Sequence, residues 1–232
     1  LVAQTLCYGM DQVKPVIFKA LVDELAAMGV TIRGIYERND VKVRELDGME
    51  EYKGWYQADF LPQPGSVLTT IDENGILYDV DVENGQKTGF FLDQKYNRLA
   101  VAKIAAGKHV LDCFTHTGAF ALNAAKGGAV SVTAVDISQE AVDMTNENIR
   151  RNGLEDIVTA KQANVFDLLT DLADHKCHDY DLIILDPPAF TKSGHTVHNA
   201  IRGYKEINLK AMKLLPRGGY LATCSCSHFM RD

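Results

Sequence analysis

Two stretches near the carboxyl end carry groups that could do chemistry. Asp186-Pro187-Pro188-Ala189-Phe190 follows the apolar run Leu182-Ile-Ile-Leu185, and Cys224-Ser225-Cys226-Ser227 follows Tyr220-Leu-Ala-Thr223. The two prolines fix φ and bar both helix and ladder, so the chain is rigid just past Asp186. A rigid acid suits a group that must point at a reacting base, whereas a strand that merely ends in proline does not need the acid. Cysteines at the end of a strand in a reduced protein are candidate nucleophiles. Cys224 and Cys226 share a face, so alternation does not choose between them, and either also reads as a small core residue. A metal site is not expected: C-x-C has no second pair, and His195-x-x-His198 has loop residues around it.

A second group of residues has the pattern of a nucleoside site. Asp112-Cys-Phe-Thr-His-Thr-Gly118 follows an apolar run and leads into a helical stretch, with Gly118 expected to let backbone approach a ligand. A dinucleotide loop would carry G-x-G-x-x-G to seat a pyrophosphate, and this loop has one glycine. The pattern argues for a ligand without phosphates. Asp136 ends the next strand, where a carboxylate can accept from both ribose hydroxyls, and it also reads as a helix N-cap in competition with Ser138. Ile137 is placed to pack on an adenine ring. Asn164, in Ala163-Asn164-Val165-Phe166, reads equally as an adenine contact or as another N-cap.

These residues need elements to hold them. Strands are expected at residues 109–113, 131–135, 157–161, 181–185 and 219–223, with helices at 119–125, 139–151, 165–172 and 204–215. Short apolar strands alternating with helices imply a parallel sheet covered on both faces, whose ligands bind outside the carboxyl ends of the strands. The first 92 residues read as a small α+β domain. Asp11, Pro15 and the apolar series Val16, Ile17, Ala20, Leu21, Leu25 predict a helix stopped at Gly29. Strands are expected at 31–36 and 41–44. Residues 76–82 and 88–92 flank Asn84-Gly85, which predicts a hairpin.

The bulk numbers bound the reading. The chain has 232 residues, 46% hydrophobic and 24% charged, enough apolar material for one large or two modest domains. It has neither an apolar run long enough to span a membrane nor a secretory leader pattern. Five scattered cysteines imply a reduced, cytoplasmic setting. A net charge of −7 means that contact with nucleic acid must come from a local basic patch. Lys192, Arg202, Lys205, Lys210, Lys213 and Arg217 form such a set, which also reads as a solvated helix face. Within it, Arg202 and Lys205 are candidates for phosphate contact.

Taken together, the motifs resemble the bacterial large-subunit ribosomal RNA cytosine-5 methyltransferases of the type I group. The matching segments are Lys87-Thr-Gly-Phe-Phe-Leu-Asp-Gln94 with Arg98, Asp112-Cys-Phe-Thr-His-Thr-Gly118, Val135-Asp136, Asn164-Val-Phe166, Asp186-Pro-Pro-Ala-Phe190, Arg202-Gly-Tyr-Lys205 and Ser225-Cys-Ser227. Residues 40–44 and Asp47-Gly48-Met49 resemble that family's middle domain. The resemblance implies a Rossmann-like class I methyltransferase sheet over 93–232, cut short at its carboxyl end, after a small α+β RNA-recognition domain over 1–92. It also implies an RNA-binding PUA domain ahead of Leu1. S-adenosylmethionine would meet Phe114, Thr115, Thr117, Gly118, Asp136, Ile137, Asn164 and Val165, with Asp186 and Pro187 at its reactive end. Arg98, Pro188, Phe190, Arg202 and Lys205 would face the substrate. The implied partner is 23S ribosomal RNA, with no membrane and with room for a homodimer.

The resemblance further implies that Cys226 is the nucleophile, since it holds the family's Ser-Cys-Ser place counted from Gly218-Gly219, and that Asp186 holds the cytosine. C5 of cytosine is a poor nucleophile, and a thiolate added at C6 turns it into an enamine-like carbon. Related enzymes place a second cysteine after the acid-Pro motif; Ala189 and Phe190 stand here, so the base that removes the C5 proton is unassigned. Asn164 stands where the family commonly has an acid. The competing functions are an adenine or guanine amino-group methyltransferase, which needs no thiol, and a non-catalytic RNA-binding protein of the same fold. A dehydrogenase is disfavoured by the glycine-poor loop.

Overall fold

A computed structural model describes residues 1–62, 65–191 and 197–226. The chain forms two compact units, one of Leu1–Thr70 with Val80–Leu92, the other of Ile71–Asp79 with Asp93–Asp232. The second unit thus takes in Ile71–Asp79, a segment that the sequence reading put with the first 92 residues.

The first unit holds a three-stranded sheet in the order β1-β2-β3: β1 (Val2–Ala3), β2 (Tyr36–Asn39) and β3 (Tyr52–Trp55). Between β1 and β2 runs α1 (Tyr8–Ala27). Gly29 ends α1 as expected, at φ 81°, with its N–H on Ala26 O and the Val30 N–H on Leu25 O, a paired closure that satisfies the last carbonyls. The expected strand at 41–44 is instead a 3-10 turn over Lys42–Asp47. Its cause is Arg44, 2% exposed, whose guanidinium bonds to Thr5 O and Thr5 Oγ1 and, through Nε, to Glu50 O at 2.9 Å. The strand expected at 31–36 lies at β2, whose four residues are all buried although three are polar or charged.

The hairpin is also displaced. It joins β4 (Leu68–Glu73) to β5 (Ile76–Asp81) through Asn74 and Gly75, both at positive φ (60° and 74°), so the Asn-Gly rule holds at a different pair. At Asn84-Gly85 the Asp81 carboxylate takes the Glu83 and Asn84 N–H groups at 2.8 and 2.9 Å, curling the chain into a loop where residues 88–92 make no strand.

The second unit adds α2 (Lys95–Ile104), β6 (His109–Cys113), α3 (Ala119–Lys126), β7 (Ser131–Asp136), α4 (Gln139–Arg151), β8 (Val158–Gln162), α5 (Val165–Asp174), β9 (Leu182–Leu185), α6 (Val197–Leu214) and β10 (Tyr220–Thr223). All five strands pair in parallel, in the order β10-β9-β6-β7-β8. Leu111 on β6 pairs with Ile183 on β9, and both are fully buried with Cys113, Val135, Leu169, Leu185 and Ile207. Strand order reverses at β6, between β7 and β9, where the connections leave to opposite faces and open a crevice at the carboxyl ends. The expected strands and helices of this unit all form; α2 was missed, and α6 begins earlier than expected.

Candidate active site

Residues leaving β6 shape the first half of the site. Asp112 is 1% exposed; its Oδ2 accepts from Thr115 Oγ1 at 2.6 Å and from the Ala121 N–H at 3.0 Å. Burial, with the charges of Asp186 and Asp136 nearby, pushes its pKa up to about 7 against the hydrogen bonds it receives. Its Oδ1 is buried and has no partner among the described residues. The loop after it places Phe114, His116 and Gly118 at positive φ (64°, 52° and 79°). Thr145 Oγ1 donates to His116 O at 3.0 Å and Asn148 Nδ2 to Thr117 O at 2.9 Å, so α4 fixes this costly conformation. Gly118 serves packing as well as φ: a Cβ there would stand 2.7 Å from Thr145 Cγ2 and 2.8 Å from Leu122 Cδ1. Gly118 thus also lets α3 and α4 approach closely.

At the tip of β7, half-buried Asp136 accepts from the His116 N–H through Oδ2 and from the Ser138 N–H through Oδ1, both at 3.0 Å. The α4 cap is Ser138, whose Oγ accepts from the Ala141 N–H, so Asp136 keeps acceptor capacity for a further donor. Ile137 is 66% exposed at the same edge. Asn164 caps α5, its Oδ1 taking the Phe166 N–H at 2.9 Å, which leaves its amide nitrogen as the group that can meet a ligand. Thr115, Thr117 and Val165 are 5%, 4% and 3% exposed; their side chains face inward, so what they offer a ligand is backbone. Polar acceptors beside an exposed apolar residue, in a loop without a phosphate-seating glycine pattern, fit a nucleoside that bears an amino group, as S-adenosylmethionine does.

The second half of the site lies at the ends of β9 and β10. Asp186 is half-buried, with Pro187 buried and Pro188 exposed beyond it. Gln94, just ahead of α2, donates Nε2 to Asp186 Oδ1 at 3.3 Å and Oδ2 at 3.4 Å. The Cys224 N–H bonds to Leu185 O at 2.8 Å, which sets Cys224 beside the acid. Burial, then the Asp186 charge, pushes the Cys224 thiol up to about 11. Cys226 is exposed, with Sγ 3.7 Å from Pro187 O. Both cysteines thus meet the Asp-Pro-Pro turn.

Phe190 is held between Phe166 and Tyr204, with ring centroids 5.7 and 4.5 Å away. Gly203 makes room for it, since a Cβ there would stand 3.1 Å from Phe190 Cδ2. Phe190 and Tyr204 therefore anchor the turn, while Arg202 and Lys205 stand exposed on α6. Lys210 bonds to Glu206 and Thr170, which removes it from the free basic set. Lys192, His195 and Ser227 lie outside the described residues. Arg98 is corrected as a substrate contact: it is 3% exposed and paired with Glu73, also 3% exposed, at 2.5 Å. Gln94 and Asp112 went unnamed as site residues, although both stand in the quoted motifs. Their signal was an uncharged amide and an acid at element edges, which no spacing rule singles out. Among the described residues no cluster of His, Cys, Asp or Glu could hold a metal ion, and no helix is long and apolar enough to cross a membrane.

A family profile described as S-adenosylmethionine-dependent methyltransferase matches residues 42–230. The chain belongs to that family. Within it, the chain is similar to the ribosomal RNA large subunit methyltransferase I of Aeromonas salmonicida, 45% identical over 85% of this chain and 49% of the relative. The protein of the same description from Shewanella amazonensis is 42% identical over 99% of this chain and 56% of its own length. The chain spans about half the length of the curated relatives it matches. Among solved structures, the methyltransferase SMU.776 complexed with SAH superposes with a TM-score of 0.72 at 26% identity, covering 96% of this chain and 54% of that one. An S-adenosylmethionine-dependent methyltransferase from Agrobacterium tumefaciens shares the fold, with a TM-score of 0.64 at 19% identity over 86% of this chain and 61% of that one. The methyltransferase family uses the cofactor for which the carboxyl-edge residues are suited.

Proposed function

We propose that the chain methylates C5 of a cytosine in large-subunit ribosomal RNA, with Cys226 as nucleophile and Asp186 as the group that holds the base. The observation that carries this reading is the pair of cysteines beside Asp186-Pro187-Pro188: an amino-group methyltransferase needs the acid and prolines but no thiol. The likeness to ribosomal RNA large subunit methyltransferase I proteins supports RNA as substrate.

S-adenosylmethionine supplies an electrophilic methyl group on a sulfonium. Asp136 would accept from the ribose hydroxyls, Ile137 would pack on the adenine, and the loop from Phe114 to Gly118 would line the site. The target base leaves its stack to reach the turn. Asp186 accepts from the exocyclic N4 amino group and, in its protonated form, donates to N3, where negative charge develops as the thiolate adds. The Cys226 thiolate forms a C–S bond at C6, and the π pair moves to C5, which takes the methyl group. Loss of the C5 proton to a base returns the pair to the ring as the C–S bond breaks and Cys226 leaves as thiolate. Arg202 and Lys205 meet backbone phosphate, and the first unit serves RNA recognition in a cytoplasmic enzyme acting alone or as a homodimer.

The test is methyl transfer from labelled S-adenosylmethionine to unmodified ribosomal RNA, with digestion to nucleosides. Label in 5-methylcytidine, lost in Cys226→Ala, is the expected result. Label in a purine, or an undiminished mutant, overturns the thiolate chemistry.

A further inference from the structure

The motif ending in Gln94 finds no role in the chemistry above, yet its last side chain lies on the acid that chemistry depends on. The Gln94 amide has a fixed sense, because Asn97 Nδ2 donates to its Oε1 at 2.6 Å, which leaves Nε2 to face both oxygens of Asp186. Backbone pairing of Cys224 with Leu185 sets a second neutral group, the Cys224 thiol, beside the same carboxylate. We propose that Gln94 and Cys224 are a positioning pair, two uncharged donors that fix the Asp186 carboxylate so that its remaining lone pairs are presented to the base.

This inference rests on the methyltransferase reading and divides the labour of the two cysteines. Cys224 keeps its proton and orients the acid; Cys226, exposed and two residues on, is left as the thiol that reacts. Uncharged donors suit the task, because a lysine or arginine in either place would neutralise the acid that must take a hydrogen bond from the base. The charged groups acting on the Cys224 thiol are Asp186 and, less strongly, Asp112; both hold the proton on it, while the Gln94 amide pulls the other way.

Those opposed influences give a readout that needs no RNA. Alkylation of Cys224 by iodoacetamide, followed against pH by peptide mass spectrometry, is expected to rise with the thiolate fraction towards a midpoint near pH 11 in the wild type. Asp186→Asn is expected to move that curve to lower pH and Gln94→Ala to higher pH. A structural role elsewhere predicts no such split, so curves that coincide or move together overturn the pair. In methyl transfer, Gln94→Ala and Cys224→Ala are expected to lower kcat about 10- to 100-fold with little change in KM, as loss of an orienting partner does. Cys224→Ser, which keeps a donor, is expected to restore most of the rate. Full activity in Gln94→Ala and Cys224→Ala contradicts the pair, whereas a wild type that labels no cytosine contradicts the cytosine-5 reading and leaves the alkylation test standing.

Discussion

In the second unit, β6, β7 and β9 bury Leu111, Val135, Ile183 and Leu185 completely against Leu169 and Ile207, contacts that depend on volume and scarcely on direction. In the first unit, β2 buries Glu37, Arg38 and Asn39 alongside apolar Phe18, Ile35, Tyr36 and Val82. Asn39 Oδ1 accepts from the Thr5 N–H, Glu37 accepts from Asn39, Lys14 and Tyr52, and Arg38 reaches Val82 O and Gly85 O. One unit is packed and the other is tied. Packing tolerates exchange among residues of similar volume, whereas each tie needs a particular donor at a particular angle.

The largest effect expected from that difference is at Ile183. Its replacement by Ala opens a cavity in the middle of the sheet and is expected to cost about 3 kcal/mol, while Ile183→Val costs about 1 kcal/mol. Denaturant midpoints measure both. In the first unit, Arg44→Lys keeps charge and length but loses the fork that serves Thr5 and Glu50 together, and is expected to cost about 2 kcal/mol. If the lysine variant is as mild as Ile183→Val, the contrast between packing and tying fails.

Asp112 is one of the buried polar groups inside the second unit. An acid whose pKa rises on folding, here from 3.8 to about 7, binds its proton more tightly in the folded chain. Its contribution to stability is therefore whole below pH 3.8 and drains away as pH climbs to about 7. Asp112→Asn is expected to flatten the decline of Tm across that window, and an unchanged slope would show that the group is not the one titrating. Smallest is the hairpin: Gly75→Ala, at φ 74° with open space around it, is expected to cost about 1 kcal/mol. Gly85→Ala costs more, since its Cβ would stand 2.5 Å from Asp81 O, and the reverse order would undo the reassignment of the turn.

The same contrast explains what could be read from the sequence. Strands β6, β7, β9 and β10 carry apolar runs and acids, caps or cysteines stand at the strand ends, so both the sheet and the residues at its edge were legible, Asp136, Asn164, Asp186 and the cysteines among them. β2 was displaced because its buried face is Tyr36-Glu37-Arg38-Asn39, a run that hydrophobic patterning scores as surface. α2 was missed because its anchors are the buried Arg98–Glu73 pair and the close approach of Gly127 to Ala102, neither local in sequence. Asn74-Gly75 and Asn84-Gly85 carry the same local signal; Asp81 decides between them by curling the chain at the second. Gln94 was invisible for a similar reason, since Asp186, the partner that gives it a place in the site, lies 92 residues away.

The most direct test of the central claim is to trap the enzyme on RNA carrying 5-fluorocytosine, where fluorine at C5 blocks release of the thiol, in the presence of S-adenosylmethionine. Mass spectrometry of the digested complex then names the residue bound to C6. The account requires a methylated adduct on Cys226 that is absent in Cys226→Ala and retained in Cys224→Ser. An adduct on Cys224, or turnover of cytosine to 5-methylcytidine without any cysteine adduct, would contradict it.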